Sequence, residues 1–289
     1  MRIANLSGRL HLLDGDLAID VEKASDGQFG ADPQAVYRRW AEFTGWAANT
    51  PLPGGVPFDR RELGSPAPAP AQVFAVGLNY DEHAAESGFS TPDNEPPVFT
   101  KFASSIAGPD CAVEIPDGGN VDWEVEVVAV IGTPAHRVGA ADAWSHVAGL
   151  AVGQDISERV LQLAAAPPQF SLGKSYPNFG PVGPWLVTVD EFDNPDDLEL
   201  GCAVNGETMQ NGRTSEMIFP VARLVEKLSA VVPLRPGDVI FTGTPAGVGL
   251  GRQPQRWLRP GDELVSWVRG IGELRQRFVA ARGTTKGSL

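Results

Sequence analysis

Between Val121 and Gly132 the chain reads VDWEVEVVAVIG. Val, Ile and Trp in such density suit a pleated strand better than a helix, so the fold must be organised around a buried sheet. The run also carries Glu124 and Glu126. Alternate residues of a strand share a face, so both carboxylates point the same way, roughly 6.6 Å apart along the chain. Trp123, Val125, Val127 and Ala129 take the other face, while Val128 and Val130 continue the glutamate face. The strand is therefore apolar on both sides farther along. Two like charges there oppose folding unless something compensates them. Three arrangements would do so: a solvated face at a sheet edge, a bridging Arg or Lys, or a shared divalent metal ion.

The remaining chain is cut into short pieces. Gly (33) and Pro (25) favour tight turns over long helices in these 289 residues. Strands are expected at QVFAVGL, VFTKF, GPWLVTV, LELGCAVNG, DVIFTG and DELVSWV, with a hairpin set in residues 1–22. Helices are expected over 33–46, with Asp32 as a cap, and over 81–88, 141–153 and 219–232. No regular βαβ alternation is present, which favours an α+β protein with a rolled mixed sheet over a doubly wound one. The turn-rich stretch from Pro51 to Ala71 suggests a small N-terminal α/β domain over 1–70 and a main domain over 71–289.

A formal net charge of −13 argues against binding nucleic acid or an anionic membrane surface. A small anionic substrate stays compatible with it if a local cluster of cations or a metal ion receives the anion. Cys111 and Cys202 fit no metal spacing and read as free thiols of a reducing compartment. The first residues lack a leader-like pattern and no stretch approaches 18 apolar residues, so a soluble, cytoplasmic protein is expected.

A third acidic donor stands in AVGQDISER. Asp155 follows an apolar run and could complete a three-carboxylate site with Glu124 and Glu126; alternatively it caps the turn that follows. An all-oxygen set selects Mg²⁺ or Mn²⁺ over zinc. Arg159 and Lys174 are the nearby cations for an anionic substrate, although Arg159 could pair with Glu158 or Asp155 and Lys174 could be solvated. His83 and Glu86, three residues apart, fall on one side of a short helix. Glu86 could accept from one ring nitrogen and leave the other to take a proton from water; the plain alternative is a surface pair. In GTPAGVG, Gly243 and Gly247 let backbone approach a ligand and Thr244 offers a hydroxyl, or the glycines merely turn the chain.

The blocks GLNYDEHAAE, VDWEVEVVAVIG, GQDISER, LGKSYPNFGPVGPWLVT, VNGETMQNGRTSEMIF and PGDVIFTGTPAGVG stand in this order. Together they resemble the successive signatures of the fumarylacetoacetate hydrolase superfamily over roughly residues 72–280. The resemblance implies a rolled mixed β fold, a Mg²⁺ or Mn²⁺ ion, a homodimer, and a small anionic 2-oxo acid as substrate. It implies metal carboxylates at Glu124, Glu126 and Asp155 and a base dyad of His83 with Glu86. It also implies substrate contacts at Arg159, Gln162, Lys174 and Thr244, with Lys174 counted among the catalytic groups. The activity implied is metal-dependent cleavage of a carbon–carbon bond in an acylpyruvate-like diketo acid, releasing pyruvate and a carboxylic acid. Decarboxylation, hydration or isomerisation of a 2-oxo acid, or binding without turnover, are the alternatives. Pro177 and Asn178 after GKSY, where much of the family has Asp, and Gln154 before Asp155 depart from the pattern and bear on the substrate.

Overall fold

The computed structural model describes residues 1–51, 54–86, 88, 90 and 94–281. Its centre is the Val125–Ile131 strand, in which all seven residues are buried. Antiparallel neighbours flank it, Val147–Gln154 on one side and Val239–Phe241 on the other. Beyond them the sheet continues through Gly180–Thr188 on one side and Val73–Val76 on the other, the last pairing in parallel with Val239–Phe241. Among the described residues this sheet has twelve strands, and a second sheet of five packs beside it. Large mixed sheets with few helices make the protein α+β, as expected.

The alternation in the central strand decides where the cores lie. Val125, Val127, Ala129 and Ile131 face one apolar cluster, shared with Leu200, Leu264 and Phe278 of the five-stranded sheet. Val128 and Val130 face a second cluster, which holds Tyr37 and Phe43 of the N-terminal helical segment. Both sides of the strand are dry beyond the glutamates, so a solvated sheet edge is excluded for this run. The segments 1–70 and 71–289 share the large sheet: Arg2–Leu6 pairs with Gly180–Thr188, and Leu63–Gly64 pairs back onto Arg2–Leu6.

Two local expectations are corrected. Residues 141–153 are not a helix: a 3₁₀ turn at Ala143–His146 leads into the strand Val147–Gln154, all eight residues of which are buried. A continuous apolar run satisfies the helical and the strand period alike, and the sheet claimed it by pairing on both edges. The helix expected over 33–46 is a 3₁₀ turn at Ala35–Arg39 followed by the helix Trp40–Asn49. Asp32 does bond the turn, accepting from the Gln34 N–H at 2.9 Å. The amphipathic helix at the other site is Val221–Val231, its Leu224, Val225 and Leu228 buried in the first core. Both cysteines are free thiols. Among the described residues no helix is long and apolar enough to cross a membrane.

Candidate active site

The central strand begins one residue after Glu124. Backbone pairing between Val121–Asp122 and Ser157–Glu158, and the bond from the Asp155 N–H to the Glu124 carbonyl at 2.9 Å, bring the two segments together. Glu124, Glu126 and Asp155 thereby place one ligand oxygen each within 4.8 Å of one another, and all three side chains are buried. Asp155 does not cap the following turn. Glu158 does, accepting from the N–H groups of Val160 and Leu161.

Cations surround this cluster. Lys174 Nζ lies 2.6 Å from Glu124 Oε2 and 2.6 Å from Asp155 Oδ2. Lys101, fully buried, donates to Asp155 Oδ1 at 2.7 Å and to the Lys174 carbonyl. Arg159 forks onto Asp122 Oδ2 at 2.9 and 2.7 Å, reaches Glu124 Oε1 at 2.8 Å and donates to Gln162 Oε1 at 2.9 Å. Its partners are thus Asp122 and Glu124, not Glu158 or Asp155. Glu126 is the exception: among the described residues its bond is from the Gly243 N–H at 2.7 Å, and no cation touches it.

These contacts split the carboxyl groups electrostatically. Burial opposes ionisation of Glu124, but Lys174 and Arg159 outweigh it and hold the group at about 2. Glu126 moves the other way, well above the usual carboxylate range, because burial is reinforced by the charges of Asp155 and Glu124. Burial also pulls Lys101 down despite Asp155, whereas Asp155 and Glu124 overcome burial and raise Lys174. Four carboxylates (Asp122, Glu124, Glu126, Asp155) thus share three cations (Lys101, Lys174, Arg159). Glu126 is the carboxyl left without a cation, and without one its neutral form is favoured. An all-oxygen, dry, converging set with unbalanced charge fits a hard dication.

The second component is the helix Asp81–Glu86, which puts His83 and Glu86 on one side. His83 Nδ1 lies 2.9 Å from Glu86 Oε1, and the Glu86 oxygens accept from the Gly247 N–H at 2.9 and 3.0 Å. A carboxylate partner holds the ring proton on Nδ1 and leaves Nε2 as acceptor. Gly247, at φ +109°, and Gly243, at φ +100°, explain the GTPAGVG stretch: each turns its N–H onto a glutamate of the site, a conformation that L side chains rarely adopt. A Cβ on Gly247 would lie 2.2 Å from the Met209 carbonyl. Gly247→Ala is therefore expected to lower stability by about 2 kcal/mol or more and to loosen Glu86. Urea denaturation together with kcat will show both losses, and an unperturbed variant would remove the loop from this role.

One cleft is lined by His83, Glu124, Arg159, Gln162, Lys174 and Thr244. All the side chains singled out in the sequence thus meet, apart from Glu86 behind His83 and Glu126 and Asp155 deeper in the cluster. Thr244 has little left to offer as a donor. Its hydroxyl donates to the Val125 carbonyl at 2.8 Å and accepts from Gln210 at 2.7 Å. Sequence reasoning missed Lys101, Gln210 and Asp122. Asp122 also accepts from the N–H groups of Gly249 and Leu250, tying the last loop to Arg159. Its signal was present: Asp122 has the parity of Glu124 and Glu126.

The fumarylacetoacetate hydrolase C-terminal family matches residues 72–279. The chain belongs to that family. Mitochondrial oxaloacetate tautomerase of Bos taurus is 42% identical over 216 residues, 74% of this chain and 68% of that protein. Among solved structures, a Mycobacterium smegmatis protein described as an HpcE is 57% identical at a TM-score of 0.93, covering 97% of this chain and 100% of that one. Maleylpyruvate hydrolase of Sphingobium sp. SYK-6, solved with manganese(II) and pyruvate, is 28% identical at a TM-score of 0.79, covering 98% and 100%. Members of the fumarylacetoacetate hydrolase family are enzymes, and those similar to this chain include hydrolytic and tautomerising ones.

Proposed function

We propose that the protein is a divalent-metal-dependent hydrolase that cleaves an acylpyruvate-like diketo acid into pyruvate and a carboxylic acid. The observation that carries this reading is that His83, with its Glu86 partner behind it, and Glu124 of the carboxylate cluster line the same cleft. Glu124, Glu126 and Asp155 would hold Mg²⁺ or Mn²⁺, and the manganese and pyruvate in the related hydrolase support that choice. When bound, the ion supplies a positive charge for the substrate carboxylate and 2-oxo oxygen and for the enolate that develops on them. Lys174, held between Glu124 and Asp155, and Arg159 with Gln162 line the same cleft and would face the substrate's carboxylate.

His83 Nε2 takes a proton from water, and the resulting hydroxide adds to the distal carbonyl carbon. The bond to the pyruvate CH₂ then breaks, its electron pair leaving as the enolate, which takes up a proton at carbon to become pyruvate. Glu86 holds the ring in the acceptor tautomer and stabilises the imidazolium that forms. The enzyme works as a soluble homodimer.

Tautomerisation of a 2-oxo acid is the second reading, favoured by the oxaloacetate tautomerase relative. The same His83 would move a proton on C3 of the substrate without adding water. A panel of acylpyruvates and oxaloacetate, with Mg²⁺ or Mn²⁺ and with EDTA, separates the two. Metal-dependent pyruvate release from the acylpyruvates is expected. Accelerated enol–keto exchange of oxaloacetate with no pyruvate from any acylpyruvate would replace hydrolysis by the second reading.

A further inference from the structure

The lining of the cleft is of two kinds. One is the charged and polar set already described. The other is an apolar wall of Val76, Leu78, Phe99, Leu163, Phe170 and Leu250. Phe99 and Phe170 meet edge to face, 5.5 Å between centroids at 69°, and make one rigid wall. Gly77 leaves the corner between the rings open: a Cβ there would lie 3.7 Å from Phe170 and 3.9 Å from Phe99.

Arg159 and Lys174 are the cations of the lining, and each is already bonded to two carboxylates. Lys174 comes nearest, 5.2 Å over the Phe99 ring, with its ammonium held by Glu124 and Asp155. Lys101 is buried behind Asp155, and Arg252 is turned onto the carbonyls of Met209 and Gly247.

We infer that the substrate's distal group is uncharged and apolar, a short alkyl or aryl acyl tail seated against Phe99, Phe170, Leu163 and Leu250, and that a second carboxylate is rejected there. This rests on the proposed reading for the position of the pyruvate end, and it sets the chain apart from a maleylpyruvate hydrolase, whose substrate carries a distal carboxylate. A carboxylate moved from water into an apolar corner without a partner loses its hydration and gains nothing in return.

Binding and turnover are measured separately on the Mn²⁺-loaded protein, with acetylpyruvate and benzoylpyruvate against fumarylpyruvate and its distal methyl ester. The two uncharged acylpyruvates and the ester are expected to bind at least about 100-fold more tightly than fumarylpyruvate. Leu163, on the exposed rim, allows a gain of charge without disturbing the core. Leu163→Arg should narrow the gap about tenfold, chiefly by improving fumarylpyruvate. Fumarylpyruvate binding as tightly as the uncharged compounds overturns the inference. The expected binding order without pyruvate release leaves it standing and overturns hydrolysis instead; no binding by any compound overturns both.

Discussion

The His83→Ala protein is expected to release pyruvate from an acylpyruvate about 10³-fold more slowly than the wild type, within the range general bases contribute, while binding Mn²⁺ with unchanged affinity. His83 touches Glu86 rather than any member of the carboxylate cluster, so its loss leaves the oxygen donors in place. Glu86→Gln separates the two halves of the dyad. The amide keeps an oxygen for the Gly247 N–H, yet it cannot stabilise a charged imidazolium, and a smaller fall in kcat of about 10²-fold follows. KM should change little in either variant, because Arg159 and Lys174 are held by Asp122, Glu124 and Asp155 rather than by His83 or Glu86. Stopped-flow kinetics with a parallel Mn²⁺ titration by electron paramagnetic resonance measures both quantities. Full turnover in His83→Ala would eliminate the dyad from the chemistry.

Glu126→Gln carries the second large effect, and its sign distinguishes it from its neighbours. In the metal-free protein burial and the charges of Asp155 and Glu124 favour the neutral form of Glu126, whose partner is a single backbone donor, so an uncharged amide in its place costs little. The metal-free variant is expected to unfold at the same temperature as the wild type or higher. With metal the order reverses. At an ion concentration 100 times the dissociation constant the wild type gains about 2.7 kcal/mol, whereas a variant binding 100-fold more weakly gains about 0.4 kcal/mol. Asp155→Asn should behave otherwise, because it strips a carboxylate from two buried ammonium groups, Lys101 and Lys174. A loss of about 3–5 kcal/mol is expected for breaking such a pair. Differential scanning calorimetry with and without Mn²⁺ reads all three proteins. If metal-free Glu126→Gln were as unstable as Asp155→Asn, its carboxylate would be compensated already and the case for an ion would fall.

Much of this site could be read locally. Spacing within one element sets direction: i and i+2 share a strand face, and i and i+3 share a helix side. That was enough to pair Glu124 with Glu126 and His83 with Glu86, and both pairs converge in the structure. Helix against strand at Val147–Gln154 was not legible, because an unbroken apolar run carries both periods at once. Nor was the role of Lys101. A single lysine in VFTKF looks like any surface lysine until the turn after Phe170–Gly173 brings the Lys174 carbonyl and Asp155 to it.

The amino-acid sequence by itself determined the buried carboxylate strand, the histidine dyad, the glycine-rich GTPAGVG stretch and the family signature that runs through them. Only the tertiary structure decided which cation holds which carboxylate, that Glu126 is left with none, that the Gly243 and Gly247 N–H groups turn onto Glu126 and Glu86, and that the cleft carries an apolar wall. The division has a physical cause. Backbone periodicity orients neighbours a few residues apart, whereas Asp122 with Arg159 and Asp155 with Lys101 are 37 and 54 residues apart and meet through strand order. In water those charges would be nearly indifferent to their partners; burial makes each pairing obligatory.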